Sequence, residues 1–158
     1  MARGEGSVVL HVESINLSVL LSDLADSLRP LAQAKGLSLT CDLPPEIFLV
    51  GDVDAIIRLF ANLLDNAIKY TEEGSITISA HRMENAVQVE ISDTGIGISP
   101  EHLPNVFERF YRVESARSSA GTGLGLAIAL QIARAYNGEI KVESTLGTGT
   151  KFLVTLPS

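Results

Sequence analysis

The 158-residue sequence has one cysteine, no tryptophan and no long apolar run. A lone Cys41 cannot form an intramolecular disulfide, and Cys-x-x-Cys metal motifs are excluded. We interpret Cys41 as a buried thiol near the end of a strand, which fits a reducing compartment. No stretch reaches the roughly 20 apolar residues that span a bilayer, and no signal-peptide apolar segment follows the first residues.

Basic residues are also scarce, with 12 Lys and Arg against 19 Asp and Glu, a formal net charge of −7. A protein that binds nucleic-acid phosphates needs a basic face, so we predict no nucleic-acid partner. Hydrophobic residues make up 46% of the chain, enough to fill the core of one domain. We expect a single domain over residues 1–158, in which residues 1–6 are the remnant of a linker to a longer protein.

Apolar spacing and turn residues predict three main helices and several short strands. The helices are expected at residues 17–35, 52–70 and 123–136, with Asn16 or Ser18 capping the first and Asp52 the second. Pro30 should kink or break the first helix. Strands are expected at residues 7–12, 37–41, 47–50, 75–81, 86–92, 139–144 and 151–156. Several strands with antiparallel connections, together with these helices, predict an α+β two-layer sandwich. In it, one mixed sheet has about three main helices on one face.

The second predicted helix carries a polar stripe. Asn62, Asn66 and Lys69 fall within roughly 60° of one another at about 100° per residue. Asparagine is a poor helix-interior residue, so two at this spacing need a reason. Mg²⁺ prefers oxygen ligands and keeps substrate phosphates, and an Asn carbonyl adds no charge against a triphosphate. Lys69 could meet a phosphate as a point charge. A solvated polar face is the alternative.

Two glycine-rich segments adjoin predicted elements. Residues 93–98, Asp-Thr-Gly-Ile-Gly-Ile, follow a strand, where glycines allow close backbone approach to a ligand and Asp93 could accept from an amine such as that of adenine. Residues 121–126, Gly-Thr-Gly-Leu-Gly-Leu, open a helix whose free N–H groups favour an anion. This is not a Walker A loop, because no Gly-Lys-Ser/Thr follows, and it is not a Rossmann fingerprint, because Leu126 stands where that motif needs glycine. A plain turn and a structural helix start are the alternatives.

Residues 94–122 form a long, irregular stretch that we interpret as a lid. It contains Phe107-Glu-Arg-Phe-Tyr-Arg112, whose aromatic rings should dock on other residues, within the lid or outside it, because their exposure is costly. Arg112 and Arg117 could reach phosphates; solvated surface arginines are the alternative.

The order and spacing of these segments resemble the asparagine, first glycine, phenylalanine and second glycine boxes of the catalytic ATP-binding domain of sensor histidine kinases. Residues 147–150 resemble the last glycine box, and the resemblance covers residues 7–156. These kinases belong to the Bergerat-fold ATPases. The resemblance implies ATP and Mg²⁺ as cofactors, with Asn66 on the metal and Asn62 beside it. It also implies that Lys69, Arg112 and Arg117 meet the phosphates.

The resemblance further implies that Asp93 binds the adenine amino group and that Gly97 lies close to the base. Tyr70 would pack near adenine or ribose, and Thr150 would lie near the adenine end. Ile96, Ile98 and Leu126 would form apolar walls of the pocket, and Gly95 would also contact the nucleotide. The implied phosphate contacts are the amides of Gly121, Thr122, Gly123, Leu124, Gly125 and Leu126.

The acceptor histidine of this family lies in a separate helical domain, in a pattern that His11, His81 and His102 all fail. The resemblance therefore implies phosphoryl transfer to a histidine on a dimerisation domain outside this chain, with a response regulator as a further partner. It implies a monomeric isolated domain in the cytoplasm and a homodimeric whole protein. Most members of the family are anchored to a membrane.

Three other functions fit parts of the pattern. Motor ATPases of the same fold place a water-activating Glu four residues before the metal-binding Asn, where this chain has Asn62. The phenylalanine box disfavours that class, and it also disfavours the serine kinases that share the fold. A degenerate domain without catalysis is disfavoured because every nucleotide box is intact.

Overall fold

The computed structural model describes residues 12–98, 100–101, 103–107 and 125–158. Within them lie three α-helices, seven strands and one short 3₁₀ turn at Leu103–Asn105. The helices are α1 (Leu17–Ala34), α2 (Val53–Lys69) and α3 (Gly125–Ala135). The strands are β1 (Glu13–Asn16), β2 (Ser38–Asp42), β3 (Phe48–Gly51), β4 (Ser75–Met83), β5 (Ala86–Asp93), β6 (Glu139–Thr145) and β7 (Gly149–Pro157).

Five of these strands form one mixed sheet in the order β2-β4-β5-β7-β6. Strand β2 runs parallel to β4, and the other neighbours are antiparallel. Strands β1 and β3 form a separate antiparallel pair. The α-helices contact this sheet, with α1 against β2, α2 against β5 and α3 against β6 and β7. The predicted α+β arrangement, a mixed sheet packed against three helices, is confirmed.

The core lies between the helices and the sheet, where alternate strand residues meet one face of each helix. On β5 the buried side chains are Val87, Val89 and Ile91, and on β7 they are Phe152, Val154 and Leu156. Helix α2 supplies the largest matching stripe, made of Ile56, Leu59, Phe60, Leu63, Leu64 and Ala67, all fully buried. Truncating Phe60 to alanine should cost about 3–5 kcal/mol, because it removes a ring from this packed interior.

The first two helices begin with side-chain caps, as predicted. The Asp52 carboxylate accepts from the Ala55 amide at 3.1 Å, and Asn16 accepts from the Val19 amide at 3.5 Å. Asn16, not Ser18, therefore caps α1. The predicted break at Pro30 is wrong, because α1 continues through it to Ala34. Ala32, in the last turn of α1, is fully buried. Its packing in the core outweighs the local free-energy cost of proline in a helix.

Two other predictions change. The first strand lies at Glu13–Asn16; the predicted strand at residues 7–12 falls outside the described residues except for Val12, which is not in a strand. Cys41 is exposed rather than buried, because it lies on the outer strand β2. The end of α3 is as predicted: Asn137 adopts a φ of 61°, and the Gly138 amide donates to the Ala133 carbonyl at 2.8 Å.

Candidate functional site

The polar stripe of α2 faces the start of α3. Asn62 and Asn66 are both half-buried, and a Cβ on Gly125 would lie 3.4 Å from the Asn62 Oδ1. The Asn62 Nδ2 is buried and has no hydrogen-bond partner among the residues that the structure describes. Among the described residues, none makes a side-chain hydrogen bond to Asn66. Buried polar groups are nearly always paired, so this end of α2 offers donors and acceptors to a polar ligand.

Lys69, the cation of the stripe, already has a partner. Its Nζ lies 2.9 Å from the Oδ2 of Asp65, one helical turn earlier. The two side chains are 31% and 44% exposed, so the pair lies at the protein surface. A phosphate at Lys69 would have to share the ammonium group with Asp65 or displace it.

The last turn of α2 is capped by a lysine from α1's end. The Lys35 Nζ donates to the carbonyl of Ile68 at 2.7 Å and to that of Lys69 at 3.2 Å. A cation is favourable at the negative end of a helix dipole. No motif predicts this contact, which joins residues 33 positions apart.

The predicted base-binding carboxylate, Asp93, ends β5. Its Oδ1 accepts from the amide of Gly95 at 2.9 Å and from that of Thr150 at 3.2 Å. Burial raises the pKa of this carboxyl above its usual 3.8, and these two hydrogen bonds oppose the rise. Among the described residues, no hydrogen bond engages the Oδ2. Asp93 can therefore accept a hydrogen bond from a ligand through that oxygen.

The glycines after Asp93 are required by the protein's own backbone. A Cβ on Gly95 would lie 2.4 Å from the Tyr70 carbonyl oxygen, and one on Gly97 would lie 2.1 Å from that of Thr145. Gly97 also has a φ of +75°, which favours glycine. The close approach in this structure is to neighbouring backbone, and the close approach to a ligand stays a prediction. This packing brings the loop against the end of α2, where the Ile96 amide donates to the Tyr70 carbonyl at 3.3 Å.

The same loop is joined to the turn between β6 and β7. The Gly147 amide donates to the Ile96 carbonyl at 2.7 Å, and the Ile98 amide donates to the Ser144 hydroxyl at 2.7 Å. The Ser144 Oγ lies 2.8 Å from the Oγ1 of Thr150, which is buried. Ser144 is not predicted by any motif quoted above, although it lies three residues before the last glycine segment.

An open cavity of about 470 Å³ adjoins this loop. Its lining is Glu72, Glu73, Thr94, Gly95, Ile96, Leu146 and Gly147. Gly95 and Ile96 are the predicted contacts among them. Neither Asp93 nor the asparagines of α2 line it, so we distinguish this cavity from the nucleotide site.

The structure thus brings together one half of the predicted site. Tyr70, Ile96, Ile98 and Thr150 connect the end of α2, the loop after β5 and the start of β7. Leu126 is half-buried and packs against the core. Arg112, Arg117, Gly121, Thr122, Gly123 and Leu124 lie outside the described residues, as does most of the predicted lid. In the middle of the predicted lid, the ring of Phe107 packs edge-on against Phe152, with centroids 6.1 Å apart, so this aromatic docks as expected.

Comparison with known proteins shows the family of the chain. A sequence model described as histidine kinase-, DNA gyrase B- and HSP90-like ATPase matches residues 51–158. The sensor histidine kinase RppB of Synechocystis is 42% identical over 147 residues, covering 89% of this chain and 32% of that protein. The kinase BaeS of Escherichia coli is 38% identical over 156 residues, covering 97% of this chain and 33% of that protein.

A solved structure is also similar. Full-length ShkA in complex with AMPPNP superposes with a TM-score of 0.86 and 28% identity, covering 95% of this chain and 32% of that one. The chain belongs to the histidine kinase-, DNA gyrase B- and HSP90-like ATPase family, and it is an ATP-binding catalytic domain of the sensor histidine kinase type. It spans about a third of the length of the curated relatives it matches. Within the described ranges, none of the helices has the length and apolar character needed to cross a membrane.

Proposed function

We propose that this domain binds Mg·ATP and donates the γ-phosphoryl group to a histidine on a separate dimerisation domain. The observation that carries the proposal is the bond between the Ile96 amide and the Tyr70 carbonyl, at 3.3 Å. It joins the loop that follows Asp93 to the end of the helix that carries Asn62 and Asn66. The carboxylate that would accept from the base and the asparagine side chains that would lie beside the phosphates therefore belong to one site.

Asp93 is proposed to hold the adenine amino group through Oδ2, because its Oδ1 is occupied by two amides. A carboxylate accepts and does not donate when ionised, which favours the amino group of adenine over a carbonyl. Gly97, Ile98 and Thr150 are proposed to lie around the base. Tyr70 is proposed to pack near the adenine or ribose.

At the phosphate side, the proposed metal ligand is Asn66, with Asn62 beside it. Both fit a hard cation bound to a triphosphate, because an amide oxygen is a suitable ligand and adds no negative charge. When bound, Mg²⁺ would neutralise charge on the phosphate oxygens. Lys69 is proposed to exchange Asp65 for a phosphate. Arg112, Arg117 and the amides of residues 121–126 are proposed to complete the phosphate contacts.

The catalytic contribution of this chain is then positioning and charge neutralisation, which carry most phosphoryl-transfer catalysis. The acceptor histidine and its base would come from the dimerisation domain of the whole protein. That protein is proposed to act as a homodimer with a response regulator as its partner. A residue that activates water needs a basic group such as a carboxylate. Asn62 has an amide instead, so a water-activating role for it has no support.

Transfer is tested by mixing the purified domain with the dimerisation domain and γ-labelled ATP. We expect label on the acceptor domain that is stable to base and labile to acid, as phosphohistidine is. An acceptor domain with its histidine replaced by glutamine is the control and should stay unlabelled. Rapid ATP hydrolysis without the acceptor domain, and no labelled protein with it, would contradict the proposal and favour a motor ATPase.

A further inference from the structure

Ser144 has three polar neighbours around one hydroxyl group. Its Oγ lies 2.7 Å from the Ile98 amide nitrogen, 2.8 Å from the Thr150 Oγ1 and 3.0 Å from the Gly149 carbonyl oxygen. The side chain is half-buried at the end of β6. It connects the loop after Asp93 to the first residues of β7.

The hydrogen-bond capacity of a hydroxyl restricts how these contacts are made. A serine has one proton to donate and two lone pairs to accept with. The Ile98 amide can only donate, so Ser144 accepts there. Its own proton goes to Gly149 or to Thr150. If it goes to Gly149, Thr150 donates to Ser144 and its hydroxyl can then only accept from a ligand.

Thr150 lies at the proposed base-binding end of the site. It is the cross-strand partner of Asp93, and its amide donates to the Asp93 Oδ1 at 3.2 Å. Ser144 therefore contacts both walls of this end: Ile98 in the loop after Asp93 and Thr150 in β7. Its orientation influences which hydrogen bonds Thr150 presents to the base.

We propose that Ser144 is a positioning residue that determines selectivity for the adenine base. It fixes the loop at Ile98 and leaves the Thr150 hydroxyl as an acceptor beside the acceptor Oδ2 of Asp93. Two acceptors favour the 6-amino group of adenine and disfavour the O6 of hypoxanthine, since a mismatched acceptor would leave groups unpaired. This inference rests on the proposed ATP-binding function.

The test compares the affinities for ATP and inosine triphosphate, which carries O6 in place of the amino group, by calorimetry. Ser144→Ala should weaken ATP binding by about 3–10-fold and lower the ATP-to-inosine-triphosphate preference by a similar factor, the effect of one lost hydrogen bond. Ser144→Thr keeps the hydroxyl on a strand-favouring residue and should restore most of the preference. Thr155→Val is the matched control, because Thr155 is a β7 hydroxyl bonded to Gln88 at 3.3 Å.

Each outcome decides the inference. Equal weakening of both nucleotides in Ser144→Ala, with an unchanged preference, would show a merely structural role and overturn it. If Ser144→Ala does not fold, Ser144→Cys is measured instead, since it has nearly the same size and hydrogen-bonds weakly. A wild-type preference in that variant also overturns the inference. Failure of the wild-type domain to bind ATP overturns the proposed function itself, together with everything that rests on it.

Discussion

Lys69 and Asp65 form an ion pair at the end of α2, with 2.9 Å between Nζ and Oδ2. The cation that we propose for phosphate binding is thus held by a carboxylate of its own helix. Pairs of this spacing on exposed helix surfaces contribute only about 0.3–0.5 kcal/mol to stability. We therefore expect Asp65 to affect nucleotide binding more than the stability of the fold.

Replacing Asp65 with asparagine should tighten ATP binding by about 2–5-fold, because it removes a competitor for Lys69 and one negative charge near the triphosphate. The free energy of unfolding should fall by no more than about 0.5 kcal/mol. Calorimetry and urea unfolding measure the two effects. Asp54→Asn makes the same charge change at the other end of α2 and should leave ATP affinity unaltered. Weaker ATP binding in Asp65→Asn would mean that Asp65 orients Lys69 instead of competing for it.

Lys35→Met should destabilise the domain by about 1–2 kcal/mol, since it removes a charge-assisted cap from the Ile68 and Lys69 carbonyls. ATP affinity should fall too, because the end of α2 is then less firmly placed. Lys35→Arg should retain most of both. Lys141→Met is the control, as Lys141 is an exposed lysine whose nearest acidic oxygen, on Glu139, is 3.8 Å away. Lys35→Met with wild-type ATP affinity would disprove the positioning role of the cap.

Two glycines with similar backbone angles separate conformational strain from steric clash. Gly97 and Gly147 have φ values of +75° and +84°, but within the described part of the chain only a Cβ on Gly97 would meet another atom within 4 Å. Gly147→Ala should cost about 1–2 kcal/mol for its left-handed backbone. Gly97→Ala should cost a further 1–3 kcal/mol or so, because Thr145 must move. Chemical denaturation of both variants is the measurement, and equal losses would refute the close approach of the loop to Thr145.

Asp93 should make stability depend on pH in an unusual direction. Burial raises its pKa in the folded state, so the folded domain binds a proton more tightly than the unfolded chain does. The ionised carboxylate therefore costs stability, and the cost grows as pH rises from the ordinary pKa of 3.8 through the raised pKa of the folded state. Above that pKa the cost is constant.

Asp93→Asn removes this cost while its amide oxygen can still accept from Gly95 and Thr150. The melting temperature of the variant relative to wild type should thus be higher at pH 7 than at pH 4, although ATP binding is lost. Asp42→Asn, the same change of charge at an exposed carboxylate of β2, is the control and should show no such difference. A relative melting temperature that decreases between pH 4 and pH 7 would contradict the raised pKa.

The sequence predicted the elements whose signals are local. Helix α2 follows from its apolar period and from Asp52, and the hairpin of β4 and β5 follows from alternation around a polar turn. Tertiary contacts explain the rest. The contacts of Lys35 with Ile68 and of Ser144 with Ile98 join residues 33 and 46 positions apart, which no local pattern encodes. The predicted break at Pro30 is wrong because packing around Ala32 outweighs the low helix propensity of proline.

The asparagines of α2 and the loop after Asp93 were recognisable because their spacing is characteristic of the family. Their mutual placement was not, since it depends on bonds such as that from Ile96 to Tyr70. The reason for the glycines also emerges only in three dimensions. They accommodate backbone oxygens of Tyr70 and Thr145, which the sequence alone does not place nearby.

The most direct test of the account is the affinity for ATP with and without Mg²⁺, measured by calorimetry on the wild-type domain, on Asn66→Ala and on Arg58→Ala, an exposed control on the same helix. We expect Mg²⁺ to strengthen ATP binding to the wild type and to Arg58→Ala. In Asn66→Ala this strengthening should be lost. An Asn66→Ala domain that binds ATP with the full wild-type response to Mg²⁺ would contradict the proposal that this asparagine holds the metal.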